Sequence, residues 1–179
     1  DGVHQSTYSD DRDGFLVKFN SDGIRQWGTY YGGSANDYCF SVSCDNFNNV
    51  FLAGFTYSTS GIATEDAYQC TFGGGNGDAL LAKFNNDGLL LWGTYYGGSI
   101  YDYGYSATCD ESNNIYLAGQ TGSTEGIATE GSQQNINCGG GDAFLVKFNT
   151  NGERQWGTYY GGNGGDRCWS VAIDSSYFI

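Results

Sequence analysis

Twenty acidic side chains, six cysteines and one histidine are the residues through which this 179-residue chain could do chemistry. General acid–base or nucleophilic catalysis needs a base held beside the group it serves, and the one imidazole, His4, stands apart near the first residue. The cysteines, Cys39, Cys44, Cys70, Cys109, Cys138 and Cys168, form no CxxC pair. With a single histidine, no zinc, haem or thioredoxin-like spacing is present. Paired carboxylates could hydrolyse a glycosidic bond. Yet Asp37, Asp102 and Asp166 each follow a glycine pair, and Asp45, Asp110 and Asp174 each lie eight residues further on. An active site is normally singular, so such recurrence reads as turn caps. Asp10, Asp11 and Asp13 before Gly14 have the composition of a calcium loop, but the later copies keep only Asp78 and Asp142. Bound Ca2+ at that loop is the alternative to a plain acidic turn. The glycines at 73–75 and 139–141 precede no Gly-Lys-Ser/Thr, which argues against a phosphate cradle. The expectation is a chain that is not an enzyme, with no catalytic, cofactor-binding or metal-ligating residues.

What must position these residues is an internal repeat. GTYYGG occurs at 28–33, 93–98 and 157–162, so the copies are 65 and 64 residues long. Upstream, DGFLVKFN at 13–20 aligns with DALLAKFN at 78–85 and DAFLVKFN at 142–149. Downstream, NNVFLAGFTYSTSGIAT at 48–64 aligns with NNIYLAGQTGSTEGIAT at 113–129. This divides the chain into repeat one (1–64), repeat two (65–129) and a truncated repeat three (130–179). The difference of one residue falls in the glycine tract 73–77, where a surface turn absorbs an insertion without disturbing a ladder.

Thirty glycines, thirty aromatic residues and no proline describe turns and strands. Phe15, Val17 and Phe19 alternate with Leu16, Lys18 and Asn20, the period of a two-faced strand. The Asp22-Gly23, Asp87-Gly88 and Asn151-Gly152 pairs supply the positive φ of a hairpin turn. Further strands are expected near 26–31, 38–43 and 50–55, with a short turn of helix around 65–69. The fold class is all-β: tandem four-stranded antiparallel β-meander repeats, propeller-blade-like and stacked on one another, because one such sheet leaves an apolar face uncovered. Trp27, Trp92 and Trp156 then build packed aromatic layers. Lys18, Lys83 and Lys147 fall mid-strand on the opposite face, where each needs a carboxylate from a neighbouring copy.

A net charge of −13 repels nucleic acid and anionic lipid. No apolar run reaches the length of a membrane helix, and no signal-peptide pattern opens the chain. Without a metal role, the cysteines read as disulfides of an oxidising compartment. Cys44 with Cys70, and Cys109 with Cys138, each link a strand end to the following connection in matching repeat positions. Cys39 and Cys168 stay unassigned as buried thiols. The hydroxyls Thr56, Ser58 and Thr59, then Thr121, Ser123 and Thr124, cluster in the connections as candidate O-glycan sites.

The strands DAFLVKFN, WGTYYGG and NNIYLAG and the Gly-Ile-Ala-Thr connection resemble the bacterial β-propeller repeats known as SBBP repeats, across the whole chain. The resemblance implies one blade-like sheet per copy in a large secreted surface protein and brings no catalytic residues. Many members carry proline where this chain has Gly61-Ile62-Ala63 and Gly126-Ile127-Ala128. The functional expectation is a structural tandem-repeat segment of an extracellular bacterial filament or surface adhesin, its partners being neighbouring copies of the repeat. The alternative is part of a closed β-propeller, which takes typically four to eight blades, binding glycan or protein.

Overall fold

The structure, a computed structural model, describes residues 3–9 and 11–174. Two local turns organise it. In the first, Asn20 Oδ1 accepts the amides of Asp22 (3.0 Å) and Ile24 (2.8 Å), and Gly23 adopts φ of 76°. Asn85 and Asn149 repeat this with Gly88 and Gly152, both at φ of 83°. In the second, Asp45 Oδ1 accepts the amides of Phe47 and Asn49 while Asn48 takes φ of 62°, a left-handed position that asparagine tolerates. Asp110 and Asn113 do the same one copy later.

These turns close hairpins between antiparallel strands, and the described residues hold ten strands and no helix. They are β1 (Gly14–Phe19), β2 (Arg25–Tyr31), β3 (Asp37–Cys44), β4 (Val50–Thr56), β5 (Asp78–Phe84), β6 (Leu90–Tyr96), β7 (Asp102–Cys109), β8 (Ile115–Thr121), β9 (Asp142–Phe148) and β10 (Arg154–Tyr160). Where a helical turn is expected around 65–69, the chain makes one hydrogen-bonded turn from Thr64 to Ala67.

The sheets are offset from the repeat by half a copy. One holds β3-β4-β5-β6, the next β7-β8-β9-β10, and β1-β2 stand as a pair. Each four-stranded meander therefore joins the last two strands of one copy to the first two of the next, through the long connection at 57–77 or 122–141. The reason is burial. Five of the seven residues of β4 and all seven of β5 are buried, and none of β4 is exposed, so both strands lie inside the sheet with a neighbour on each edge. They pair over seven residues, from Val50 with Phe84 to Thr56 with Asp78.

Alternation along β5 sends Leu80, Ala82 and Phe84 towards Leu16 and Tyr31 of the β1-β2 pair. Its other face sends Ala79 and Leu81 towards Leu117, Phe144 and Val146 of the third sheet. The central sheet is thus buried on both sides, and stacking copies supply the core that a single sheet lacks. Beyond β10, the segment 166–174 follows the course of β3 and β7. Val171 N donates to Ser106 Oγ at 3.2 Å, just as Ala107 N donates to Ser41 Oγ at 3.0 Å.

Candidate functional site

The recurring carboxylates lie where the connections cross the ends of the strands. Asp37 Oδ2 accepts the Gly33 amide (2.8 Å) and the Ser58 hydroxyl (2.9 Å), and Oδ1 accepts Thr56 Oγ1. Asp102 repeats the arrangement with Gly98, Ser123 and Thr121. A second carboxylate in each copy ties down the approach to the first strand. Asp13 accepts from Gln5 and Ser9, Asp78 from Gln69 and Gly73, and Asp142 from Gln134 and Cys138. The two families meet across a glycine: a Cβ on Gly161 would lie 2.8 Å from Asp142 Oδ1 and 2.7 Å from Asp166 Oδ2.

Asp78 and Asp142 are fully buried, and Oδ1 of each lacks a hydrogen-bond partner. Burial pushes the Asp78 carboxyl up to about 7, aided by the nearby charge of Asp102. It also raises Asp37 and Asp102 in spite of their hydrogen bonds. These are carboxyl pairs, but substrate has no access to Asp78, Asp102 or Asp142, each 0 % exposed. They cap turns. Asp10 lies outside the described residues, and the hydrogen bonds to Asp13 make that loop a cap as well. Among the described residues no three His, Cys, Asp or Glu side chains are arranged to hold a metal ion.

The hydroxyls expected to carry glycan divide by burial. Thr56, Ser58, Thr121 and Ser123 are fully buried and donate to Asp37 or Asp102. That corrects their reading as acceptors, since a glycan cannot reach them. Thr59 and Thr124 are exposed.

The cysteines depart from the expected pairing too. Cys44, Cys70, Cys109 and Cys138 are free thiols in the structure. The matching of positions on which the pairing rested fails in three dimensions. Gln69 and Gln134 are equivalent, since each donates to the carboxylate of its copy, yet Cys70 follows Gln69 directly and Cys138 lies four residues after Gln134. Cys70 Sγ sits against the carbonyls of Glu65 (3.1 Å) and Ala67 (3.3 Å), and Cys138 Sγ against Gln134 Nε2 (3.4 Å). Cys39 is held among apolar groups, and burial pushes its thiol up to about 12.

The lysines behave as their mid-strand position demands. Lys83 of the second copy pairs with Asp45 of the first at 3.2 Å, and Lys147 of the third with Asp110 of the second at 3.7 Å. Hydrogen bonds from its turn and from Lys83 hold the Asp45 carboxylate below its usual range against the opposing effect of burial. Each lysine also lies 5.1 Å from an aromatic centroid, Phe51 or Tyr116. Lys83 Nζ and Trp92 Nε1 both donate to Thr150 in the hairpin turn of the next copy, as Lys18 and Trp27 donate to Asn86.

One feature has no forerunner in the motifs. Phe55 lies 4.4 Å from Tyr103 and 4.9 Å from Tyr38, Phe40 is 5.6 Å from Phe55, and Tyr105 stacks on Trp169 at 4.6 Å. These rings make a ribbon across the β3, β4 and β7 strands and the 166–174 segment, with Phe40 (55 %) and Trp169 (64 %) presented to solvent. The alternation Tyr101, Tyr103, Tyr105 was the legible signal for it. Beside the ribbon, an open cleft of about 560 Å³ runs between β1 and β3, lined by Tyr8, Arg12, Asp13, Phe15, Tyr38 and Phe40. In the second sheet the corresponding edge of β5 is covered by β4. No protein-family model and no curated protein sequence matches the chain.

Proposed function

We propose that this chain is a non-enzymatic structural segment of an extracellular or cell-surface bacterial assembly, a filament or an adhesin, in which the repeat itself is the working part. The observation that carries this reading is the recurrence of one inter-copy contact in one register: Trp27 and Lys18 on the turn of copy two, Trp92 and Lys83 on the turn of copy three. A contact that each copy both gives and receives extends a protein without new chemistry. The resemblance to SBBP repeats and the acidic, proline-free composition support the same reading. Electron microscopy of the intact native material tests it: copies continuing along an axis are expected, and discrete discs would overturn it.

The aromatic ribbon favours a second reading, a binding module within a closed propeller. Exposed Trp169 and Phe40 offer faces on which the C–H groups of a sugar ring stack. Titration with oligosaccharides, followed by quenching of tryptophan fluorescence and its loss in Trp169→Ala, tests that reading.

A further inference from the structure

The aspartate pair of the second copy is sealed from solvent: Asp78 and Asp102 are both 0 % exposed. The groups that donate to them are neutral, namely the amides of Gly73 and Gly98, Gln69 Nε2 and the hydroxyls of Thr121 and Ser123. The ion pairs of the described residues go to Asp45 and Asp110 instead. Two carboxyl groups thus share one buried place with no cation paired to them. Burial of carboxylates in that way is costly unless an opposite charge compensates it.

The copies differ at one atom of this arrangement. Ser9, Gly73 and Cys138 are equivalent, because their amides donate to Oδ2 of Asp13, Asp78 and Asp142 in turn. In the first copy the Ser9 hydroxyl also donates to Asp13 Oδ1, at 2.6 Å. Gly73 has no hydroxyl to offer, and the Cys138 thiol sits against Gln134 Nε2. Oδ1 of Asp78 and of Asp142 is therefore left without a partner, although both residues are 0 % exposed. That orphaned oxygen looks across a glycine at the second aspartate. A Cβ on Gly161 would lie 2.8 Å from Asp142 Oδ1 and 2.7 Å from Asp166 Oδ2, and one on Gly97 would lie 2.6 Å from Asp102 Oδ2. No larger residue at position 73 could supply the missing donor, since its Cβ would run into the Gly98 carbonyl oxygen. The place is bordered by oxygen and closed to side chains.

Resting on the structural reading above, we propose that Asp78 with Asp102, and Asp142 with Asp166, each hold a Ca2+ ion on the oxygen that the Ser9 hydroxyl serves in the first copy. Ca2+ takes hard oxygen ligands in flexible geometry and accepts backbone carbonyls beside carboxylates. One such ion neutralises both carboxylates of a pair. A site with so few acidic ligands belongs to the weak extracellular class, with a Kd of about 10⁻⁴ to 10⁻³ M. Asp78 opens β5 and Asp102 opens β7, so the ion fastens one four-stranded sheet to the next. The stack of copies is then stiffened by Ca2+ at each such junction. Without the ion Asp78 is left to hold a proton, which makes the chelated chain the reference state.

Thermal unfolding at about pH 8, in chelator and then in millimolar Ca2+ at constant ionic strength, is expected to show Tm rising by about 5 °C. Asp78→Asn is expected to lose about half of that rise, and Asp78→Asn combined with Asp142→Asn all of it. Equilibrium dialysis of each single variant gives a second measure that does not need the double variant to fold: one bound Ca2+ in place of two. Ser9→Gly, which frees Asp13 Oδ1, is expected to add a site, a gain that the loss of a turn cap would not produce. Mg2+, which demands octahedral geometry and keeps its waters, is expected to give a smaller rise. A Tm that does not respond to Ca2+, an equal rise with Mg2+, or a full response in Asp78→Asn overturns the proposal. Axial arrays that persist in chelator, beside a chain that binds no Ca2+, would sink these sites and leave the structural reading standing.

Discussion

Replacing Asp78 by asparagine should remove a pH dependence of stability that the folded state builds into this carboxyl. Asp78 is fully buried, Oδ2 accepts from the Gly73 amide and Gln69 Nε2, and Oδ1 has no partner. Burial first, and the charge of Asp102 after it, raise the group from 3.8 to about 7. A raised carboxyl is protonated in the folded chain while the unfolded chain has released its proton. Its contribution is therefore fully present below pH 3.8 and is lost as pH rises through about 7. At 1.36 kcal/mol per pH unit the loss approaches about 4 kcal/mol. Asparagine keeps the acceptor oxygen and carries no charge. Asp37 and Asp102 are also raised, whereas Asp45 and Asp110 are lowered. Asp37, Asp45 and Asp110 titrate in both proteins, so the difference between them reports Asp78 together with its coupling to Asp102. Urea unfolding of the chain and of Asp78→Asn at pH 4.5, 6 and 8 should show the variant gaining on the parent by a few kcal/mol as pH rises. A difference that stays flat, or that runs the other way, refutes the account of Asp78 as a buried neutral acid.

Lys83→Met strands the Asp45 carboxylate, whose side chain is 0 % exposed, and should cost about 3–5 kcal/mol in urea unfolding. Lys18→Met, which removes only contacts with Asn86 near the surface, should cost about 1 kcal/mol. Gly54→Ala and Gly119→Ala drive a Cβ into the carbonyl oxygens of Tyr38 and Tyr103. Each should lower stability by about 1–3 kcal/mol, against almost no change for Gly162→Ala, which meets nothing within 4 Å. A thiol reagent added to the folded chain without reductant should label the exposed Cys44, Cys70 and Cys138 at once, and Cys39, partly buried and pushed up to about 12, far more slowly until the chain unfolds. Fewer than six reactive thiols in the unfolded chain would restore a disulfide to the protein.

Much of this protein follows from repetition and local chemistry. Alternation at 15–20, the Asp-Gly and Asn-Gly pairs and the acidic turns before strand four are short-range signals, and the strands and hairpins lie where those signals put them. The lysine to aspartate ladder was legible too, because a cation buried mid-strand requires a partner, and the half-copy offset brings the acidic turn of the preceding copy into the same sheet. What the linear pattern could not decide is which strands share a sheet. A meander within one copy and a meander offset by half a copy have the same strands and the same turns. They differ only in whether β4 pairs with β5 across a long connection, and that choice rests on burying both faces of β5 between two neighbouring sheets. The fates of the hydroxyls and cysteines depend on the same step. Thr56 and Ser58 look like surface residues in a polar connection until the fold carries that connection back over Asp37. Cys70 and Cys138 look equivalent until Gln69 and Gln134 fix the register. The sequence by itself determined the strands, the turns and the need to stack, because those depend on neighbours a few residues away. Only the tertiary structure decided the pairing of sheets and the buried carboxyls, because those depend on what the next copy covers.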